Sequence, residues 1–433
     1  MDQPQKASTS TADNSIMEQA FIYAFPIAEM MRLRWSYLDN PNNRSRGPAN
    51  EFVHGRHLVD HRQRIVTTPN NDTLYSRAFL DLSTGPVQLR VPDTNGRYYS
   101  IAFYDVFSNH FATIGSRLTG TREGDFIVVG PNWHGELPNN ARLVRSPTDD
   151  ALLLARIVVD GPEDLPAVRM LQDGIRSASL SKQESRRPKT ITPTLNDAAT
   201  FVTIVNQALA VNGVPSYEEP PLGRFASVGI GGTEGAWDAL SADVRAEWNR
   251  RFPALLASLK KPLAGDAEPI DGWYYNPPQI GIFGTDYTYR AIVALNALLA
   301  MEPAEAVYPS VETDAQGHVL TGERKYRLHI PTTGIPVGAF WSLSMYELMD
   351  DGRLFFLNNP INRYAIGDRT SGLKKNDDGS IDILIQHEAP GGEKNANWLP
   401  APKGQFKMVL RAYQPKSDIL DYRFRISGVE RIQ

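Results

Sequence analysis

The pattern of apolar and polar positions divides the chain into a helical start, a strand region, a helical middle and a second strand region. From about Asp13 to Tyr37, apolar residues recur at spacings of three and four, which predicts an N-terminal helix kinked by Pro26. Between residues 65 and 157, short apolar runs alternate with turn residues, a pattern typical of strands. The predicted strands include VQLRV (87–91), RYYSIAFYDV (97–106), DFIVVG (125–130) and ALLLARIV (151–158).

The middle of the chain returns to helical spacing before a second set of strands begins. Helices are predicted within residues 165–175, 195–211, 236–259 and 285–301. The later strands are predicted at residues 325–330, 339–348, 380–386, 405–413 and 421–429. Short strands at this density favour an α+β, mainly β fold with antiparallel β-sandwiches over a βαβ array.

The two strand regions also resemble each other in sequence. The segment YYSIAFYDV (98–106) parallels FWSLSMYEL (340–348), so Tyr104 and Tyr346 fall at matching places. Further on, LLLARI (152–157) parallels MVLRAY (408–413), which matches Arg156 with Arg411. Chance similarity between amphipathic strands is the alternative. If the repeat is real, the chain contains two related antiparallel β-sandwich domains.

These patterns predict four segments. Residues 1–14 are a disordered lead-in, and residues 15–160 hold the N-terminal helix and the first β-sandwich. A helical connecting segment follows at residues 161–305, and the second β-sandwich occupies residues 306–433.

Composition excludes several classes of protein. The 433 residues include 45 Lys and Arg against 49 Asp and Glu, so the basic surface of a general nucleic-acid binder is not expected. The absence of Cys excludes disulfides, thiolate nucleophiles and Cys-ligated zinc. No apolar run approaches 18 residues, so no membrane span is expected. The polar start and the lack of Cys leave both a periplasmic or secreted location and a cytoplasmic one open.

The segment TTPNNDTLYSR (67–77) is unusually polar for its place before a strand. Asn70, Asn71 and Asp72 either bond their own backbone in a turn or bind a polar ligand. Tyr75 and Arg77 would share one strand face, where a phenol beside a guanidinium suits an anionic or hydroxyl-rich ligand. The alternative is a core Tyr with an Arg paired to a carboxylate.

Together with GRYYSIAFYDVFSNHF (96–111), this polar segment resembles the domain of unknown function 1254. Several later segments resemble its usual partner, the domain of unknown function 1214: GTDYTYRA (284–291), AFWSLSMYE (339–347), NRYAIGDRT (362–370), IQHEAPG (385–391) and NWLPAPKGQF (397–406). The resemblance extends from about residue 15 to 415. It implies jelly-roll-like sandwiches and a homo-oligomer, and it carries no generally established activity.

The matched strands have one apolar face, which is expected to lie in a core, and one face of small residues followed by Tyr. A concave strip of this kind is filled either by a packed helix or by a ligand. The residues of the second face are Ser100, Ala102 and Tyr104 in the first region, and Ser342, Ser344 and Tyr346 in the second.

The histidines offer two further candidates. His54, His57 and His61 have spacings that would place them on one face of a helix, where they could ligate a divalent metal. A solvated surface is the favoured alternative, and no metal is predicted. His387 ends a predicted strand beside a Gly-rich loop, a suitable position for a general base. Trp398 could stack on a sugar or planar organic molecule, or it could cover a core.

Three hypotheses of function follow. The predicted one is a cofactor-free hydrolase or lyase that acts on a small polar or aromatic organic molecule between the sandwiches. The alternatives are a carbohydrate-binding or carbohydrate-processing protein, and a non-catalytic interaction or assembly protein. In the predicted enzyme, His387, Tyr104 and Asp72 are catalytic, and the residues that bind the substrate are Asn70, Asn71, Tyr75, Arg77, Tyr346, Arg363 and Trp398.

Overall fold

The computed structural model describes residues 11–64, 67–136, 141–183, 185, 192–231, 235–349 and 352–433. Residues 1–10 of the predicted lead-in lie outside the described residues, and the first helix begins at Thr11. The fold is α+β and mainly β, with several antiparallel sheets, as the apolar pattern predicts. Within the described part of the chain, no helix has the length and apolar character needed to cross a bilayer.

The N-terminal part of the chain forms two sheets beside a long helix. The five-stranded sheet has the order β1-β2-β8-β4-β5, and a four-stranded sheet has the order β7-β6-β3-β9. Apolar residues of both sheets, such as Val87, Ile101 and Leu153, share one core. The elements are α1 (Thr11–Leu38), β1 (Val53–His54), β2 (Thr73–Asp81), β3 (Val87–Val91), β4 (Tyr99–Tyr104), β5 (His110–Gly115), β6 (Gly124–Val129), β7 (Arg142–Arg145), β8 (Asp150–Val158), α2 (Leu165–Gly174) and β9 (Arg176–Ser179).

The middle of the chain is a helical layer that packs on α1. The ring of Phe21 on α1 lies 5.2 Å from that of Phe201 and 5.6 Å from that of Phe252. Phe107, which follows β4, belongs to the same core, so the helical layer is tied to the five-stranded sheet. The elements are α3 (Ala198–Asn212), α4 (Glu219–Phe225), α5 (Ala236–Ala239), α6 (Ala242–Ser258), β10 (Trp273–Tyr274) and α7 (Tyr287–Asn296).

The C-terminal part forms a seven-stranded sheet and a second four-stranded sheet. The larger sheet has the order β10-β12-β19-β14-β15, with β11 paired to β19 and β16 paired to β14. The smaller has the order β18-β17-β13-β20, and Leu343, Ile383 and Leu410 lie in the core that both sheets share. The elements are β11 (Ala306–Val307), β12 (Ser310–Val311), β13 (Lys325–Ile330), β14 (Val337–Leu348), β15 (Leu354–Phe355), β16 (Ala365–Gly367), β17 (Ile381–Gln386), β18 (Trp398–Pro400), β19 (Phe406–Pro415), α8 (Ser417–Leu420) and β20 (Glu430–Ile432).

The strand predicted for residues 421–429 does not form. Ile426 and Val429 are buried, as their apolar character demands. The carbonyl of Val429 accepts from the backbone N–H of Ala315 at 2.9 Å, but this bond is not part of a β-ladder. An irregular chain that buries separated apolar residues has the same apolar pattern as a strand, which explains the wrong prediction.

The matched strands keep one register in the five- and seven-stranded sheets, which we call the two large sheets. Ser100 on β4 pairs with Arg156 on β8, and Ser342 on β14 pairs with Arg411 on β19. Each arginine therefore stands beside a serine on the neighbouring inner strand. The same register also fixes which residues share a face with each arginine, because side chains alternate along a strand.

The polar faces of the two large sheets pack against each other. Tyr98, Ala102 and Tyr104 of the first sheet share a cluster with Phe340 and Tyr413 of the second. The ring centroids of Tyr98 and Phe340 are 5.4 Å apart, and those of Phe340 and Tyr413 are 4.2 Å apart. The strip of small residues predicted to hold a helix or a ligand thus faces the other large sheet.

Candidate functional site

The space between the two large sheets contains a group of arginines and tyrosines whose charges and phenols interact with one another. Arg156 and Arg411 come from the matched strands β8 and β19. Tyr75 pairs directly with Arg156 across β2 and β8. We call this group the Tyr–Arg centre, and its residues are Tyr75, Tyr104, Arg156, Tyr308, Arg411 and Tyr413.

Tyr308 occupies the place in the second sheet that Tyr75 occupies in the first. The pairs on either side of it, Ala306 with Tyr413 and Ser310 with Val409, follow one register. Tyr308 therefore stands level with Arg411, as Tyr75 stands level with Arg156. Each large sheet supplies one tyrosine and one arginine in the same arrangement.

Arg156 is a buried cation without a complete set of partners. Its side chain lies over the ring of Tyr75, with the guanidinium carbon 5.4 Å from the ring centroid. Its Nη2 donates to the carbonyl of Leu299 over a long 3.5 Å, and its Nη1 has no hydrogen-bond partner among the described residues. Only 7% of Arg156 is exposed, so this nitrogen lacks both protein and bulk-water partners.

Arg411, by contrast, is well bonded by the protein. Its Nη1 donates to Ser344 Oγ at 2.7 Å. Its Nη2 donates to the carbonyls of Thr68 and Pro69 at 3.0 and 3.3 Å. The polar segment before β2 therefore folds over Arg411 and supplies its acceptors.

Three tyrosines of the Tyr–Arg centre, Tyr104, Tyr308 and Tyr413, have raised pKa values and remain protonated at neutral pH. Burial raises the pKa of Tyr104 to about 12, in spite of the opposing charge of Arg156, and burial likewise raises the pKa of Tyr308. Tyr104 Oη donates to the carbonyl of Leu299 at 2.8 Å. The half-buried Tyr75 and Tyr308 make no hydroxyl hydrogen bond within the described residues. The centre therefore offers two phenolic donors in addition to Arg156 Nη1.

Asn70 and Asp72 form the turn that the sequence left as one of two alternatives, and their side chains contact the second large sheet. Asn70 Oδ1 accepts from the backbone N–H of Asp72 at 2.6 Å, which is an Asx-turn. Asn70 Nδ2 also donates to Tyr413 Oη at 2.8 Å, so the turn borders the Tyr–Arg centre. Asp72 Oδ2 accepts from Ser342 Oγ at 2.6 Å, and Asp72 Oδ1 lies 3.7 Å from Arg369 Nη2. The carboxylate thus links the two large sheets.

Two more of the predicted residues lie near this centre. Tyr346 Oη donates to the carbonyl of Pro69 at 2.6 Å, beside Arg411. Arg77 shares the strand face of Tyr75, yet its guanidinium stacks on Tyr37, with its carbon 3.7 Å from the ring centroid, and donates to the carbonyl of Ser45. Arg77 is therefore engaged by the end of α1 and the loop that follows.

Four predicted residues have contacts away from the Tyr–Arg centre. Asn71 Nδ2 donates to the carbonyl of Val59 at 2.5 Å. Arg363 Nη1 donates to the carbonyl of Trp398 at 2.7 Å, and Trp398 is 2% exposed with its Nε1 donating to the carbonyl of Gln386. His387 Nδ1 lies 2.9 Å from the carbonyl of Ala401. The geometry does not bring His387 together with Tyr104 and Asp72, and it leaves Trp398 no face for stacking.

The three clustered histidines do not lie on a helix. His54 is in β1, with its Nδ1 2.7 Å from Ser76 Oγ, and burial lowers its pKa to about 4. His61 Nδ1 lies 2.8 Å from Tyr364 Oη. In the part of the chain that the structure describes, no three His, Asp or Glu side chains are grouped closely enough to hold a metal ion.

Sequence reasoning did not select four members of the Tyr–Arg centre, namely Arg156, Arg411, Tyr308 and Tyr413. The signal was present in the repeat, where an arginine interrupts an otherwise apolar strand in both LLLARI and MVLRAY. An arginine at a buried strand position needs a partner or a function. The two arginines were used only to align the repeat.

A second buried charged group ties the helical layer to the loop after β4. Arg290 on α7 is fully buried, and its Nη1 donates to Glu218 Oε1 at 2.5 Å. The guanidinium carbon also lies 5.4 Å from the ring centroid of Tyr23 and 5.0 Å from that of Tyr287. Asp105 is buried beside this pair and accepts from the backbone N–H and Nδ2 of Asn109.

Asp105 makes the free energy of unfolding depend on pH. Burial raises the pKa of the Asp105 carboxyl from 3.8 to about 6, and the charge of Glu218 adds to this effect. The hydrogen bonds from Asn109 and the charge of Arg290 act in the opposite direction. The folded protein thus holds this proton more tightly than the unfolded chain. The resulting stabilisation, about 3 kcal/mol, is complete below about pH 4 and is lost as the pH rises through about 6.

We expect Asp105→Asn to flatten this dependence, because the amide mimics the protonated carboxyl. Urea unfolding at intervals between pH 4 and pH 7 would measure it in the wild type and the variant. An equally steep fall in both proteins would contradict the assignment to Asp105.

A small, partly open pocket borders Tyr104, and it has room for about a single water molecule. Its lining includes Arg34, Phe79, Tyr104, Asp105 and Leu152. It lies between the Tyr–Arg centre and the buried charged group around Arg290, since Tyr104 belongs to the first and Asp105 adjoins the second.

Two family models match the two strand regions of the chain. The family model described as "Protein of unknown function (DUF1254)" matches residues 49–179, and that described as "Protein of unknown function (DUF1214)" matches residues 305–417. No curated protein matches the chain.

Two solved structures align with nearly the whole chain. The VPA0106 protein from Vibrio parahaemolyticus is 22% identical, with a TM-score of 0.74 over 97% of this chain and 99% of that chain. This likeness shows a shared fold. An uncharacterized protein from Burkholderia cenocepacia aligns over 99% of this chain and 91% of that chain, with 12% identity and a TM-score of 0.48.

Proposed function

Since the chain belongs to the proteins that combine the DUF1254 and DUF1214 domains, whose descriptions name no activity, we propose a function from its own chemistry: it binds a small organic anion at the Tyr–Arg centre. The observation that carries this proposal is Arg156 Nη1, a buried cationic donor that has no partner in the described residues. A buried charge of this kind is costly unless something pairs with it.

The surroundings of Arg156 favour an anion over a neutral ligand. The nearby Tyr75 and Tyr308 hydroxyls make no hydrogen bond within the described part of the chain, so both can donate to an oxygen of the ligand. Two carboxylates of this region already have partners: Asp72 is engaged by Ser342 and Arg369, and Glu305 is engaged by Tyr98 and Arg117. A carboxylate ligand accepts well from a guanidinium and from phenols, and such charge-assisted bonds are about twice as strong as neutral ones.

Titration calorimetry with charged and neutral ligands of matched shape tests this proposal. We expect benzoate or lactate to bind at neutral pH, and benzamide and lactamide to bind at least about tenfold more weakly, which is about 1.4 kcal/mol. Glucose serves as the uncharged, hydroxyl-rich comparison. Binding of neither carboxylate, or equal affinity for acid and amide, would contradict the proposal.

We further propose that the bound anion is the substrate of a cofactor-free hydrolase or lyase. What supports this is the set of protonated phenols beside a guanidinium, a combination that can stabilise negative charge developing on an oxygen. Proton NMR of a mixture of protein with O-acyl and hydroxylated derivatives that keep the free carboxylate of the bound acid would follow product formation. Turnover that survives in Arg156→Met would contradict a reaction at this centre.

For the architecture, we propose two related, jelly-roll-like β-sandwiches whose outer faces form the Tyr–Arg centre. The equal register of the two arginines on β8 and β19, and the separate cores of the two strand regions, support this arrangement.

A further inference from the structure

The two halves of the Tyr–Arg centre differ at one matched position. In the second half, Ser344 Oγ accepts from Arg411 Nη1 at 2.7 Å. In the first half, the residue that matches Ser344 is Ala102, because Ser100 and Ser342 stand opposite the two arginines in the same register. A methyl group accepts no hydrogen bond, and Arg156 Nη1 has no partner among the described residues.

We propose that a ligand oxygen takes the place at Arg156 that Ser344 Oγ takes at Arg411, and that Ala102 is the residue that keeps this place open. This inference rests on the proposed function and makes it more specific. The serine hydroxyl in the second half shows where an acceptor for the guanidinium belongs, and the alanine in the first half leaves that acceptor to come from outside the chain.

The same comparison defines the class of ligand. Arg411 already donates to Ser344 and to two backbone carbonyls, so it has no comparable need for a second anionic group. A single carboxylate at Arg156 therefore satisfies the centre. The hydroxyls of Tyr75 and Tyr308, which make no hydrogen bond within the described residues, suit an additional uncharged oxygen on the same molecule. The ligand class is a monocarboxylate, rather than a dicarboxylate that would span both arginines.

Because Ala102 is buried, a single hydroxyl oxygen at this position would decide whether Arg156 Nη1 has an acceptor within the protein. Ala102 is fully buried in the cluster between the two large sheets, with Tyr104 and Phe340. A hydroxyl introduced there has Arg156 Nη1 as its natural donor, because the matched hydroxyl in the second half is used in this way. An internal acceptor would compete directly with a ligand for the same nitrogen.

The test introduces Ala102→Ser, with Ala102→Cys as the control of similar size and weak acceptor strength. We expect Ala102→Ser to lower the affinity for benzoate or lactate at least about tenfold, which is about 1.4 kcal/mol. The urea midpoint of Ala102→Ser should exceed that of Ala102→Cys, since the serine satisfies the buried nitrogen. The cysteine variant should retain more affinity than the serine variant.

The reciprocal change, Ser344→Ala, leaves Arg411 Nη1 without its hydroxyl. We expect it to lower the urea midpoint and to strengthen the binding of succinate relative to lactate, because a second anion subsite is opened.

The outcomes separate this inference from the proposed function. If the wild type binds neither benzoate nor lactate, the proposed function fails. If the wild type binds and Ala102→Ser binds equally well with no higher midpoint than Ala102→Cys, this inference alone is overturned. A loss of affinity shared by the serine and cysteine variants would assign the effect to volume, which also overturns it.

Discussion

Methionine in place of Arg156 is expected to weaken anion binding strongly and, at the same time, to raise the free energy of unfolding. The arginine is 7% exposed, and its Nη1 is unpaired among the described residues, so the folded protein carries the cost of a buried, incompletely bonded cation. Replacing buried charge by an apolar side chain of similar volume stabilises proteins by about 1–4 kcal/mol in favourable cases. The loss of affinity should reach about a hundredfold, or about 2.8 kcal/mol.

Arg411→Met is the matched control for this prediction. Arg411 has a serine hydroxyl and two carbonyls as acceptors, and Asp72 is close enough to interact with it electrostatically. Removing it leaves buried acceptors without a donor, so we expect a destabilisation of about 3 kcal/mol. Urea unfolding and titration with benzoate measure both variants. Changes of the same sign in the two unfolding measurements would refute the distinction between the arginines.

The largest loss of stability is expected from Glu218→Gln. The amide keeps the shape of the side chain but removes the charge that compensates Arg290, which is fully buried against Tyr23 and Tyr287. Breaking one partner of a buried ion pair typically costs about 3–5 kcal/mol. The helical layer and α1 share the core around this pair, so we expect the whole layer to be weakened.

The double variant Glu218→Leu with Arg290→Met controls for this effect. It removes both charges and keeps the apolar volume, so it should be more stable than Glu218→Gln by about 2 kcal/mol or more. Urea unfolding at pH 7 compares the three proteins. A double variant less stable than the single one would show that the ion pair itself, rather than the uncompensated charge, determines stability.

Local patterns in the sequence were sufficient for much of the fold. Period-two alternation placed Ile101 and Phe103 in one core and left Ala102 and Tyr104 on the opposite face. The turn chemistry of Asn70 and Asp72 was also readable, because an Asx-turn depends on neighbouring residues alone. The apolar positions at 426 and 429 gave a false strand, since burial does not require a ladder.

The composition of the candidate site was less accessible from the sequence. Tyr104 and Asp72 were selected because each stands in a polar or small-residue context. Tyr104 belongs to the Tyr–Arg centre, and Asp72 lies close enough to Arg411 to interact with it electrostatically. Arg156 and Tyr308 were not selected. They are 152 residues apart in the chain (308 − 156), and they interact only because the two large sheets pack face to face. His387 was selected for a strand-end position that says nothing about which sheet its strand joins, and β17 lies in the sheet β18-β17-β13-β20.

The contact between the polar faces of the two large sheets also has consequences for the folding pathway. Tyr98 and Phe340 touch across more than half of the chain length, and contacts of such sequence separation form late because a long loop must close first. Each strand region has an apolar core of its own and can fold independently of the other. The Tyr–Arg centre is therefore completed in the docking step that joins the two regions. Until that step, each region exposes a face rich in tyrosine. We therefore expect slow docking of the two regions and association between incompletely folded chains.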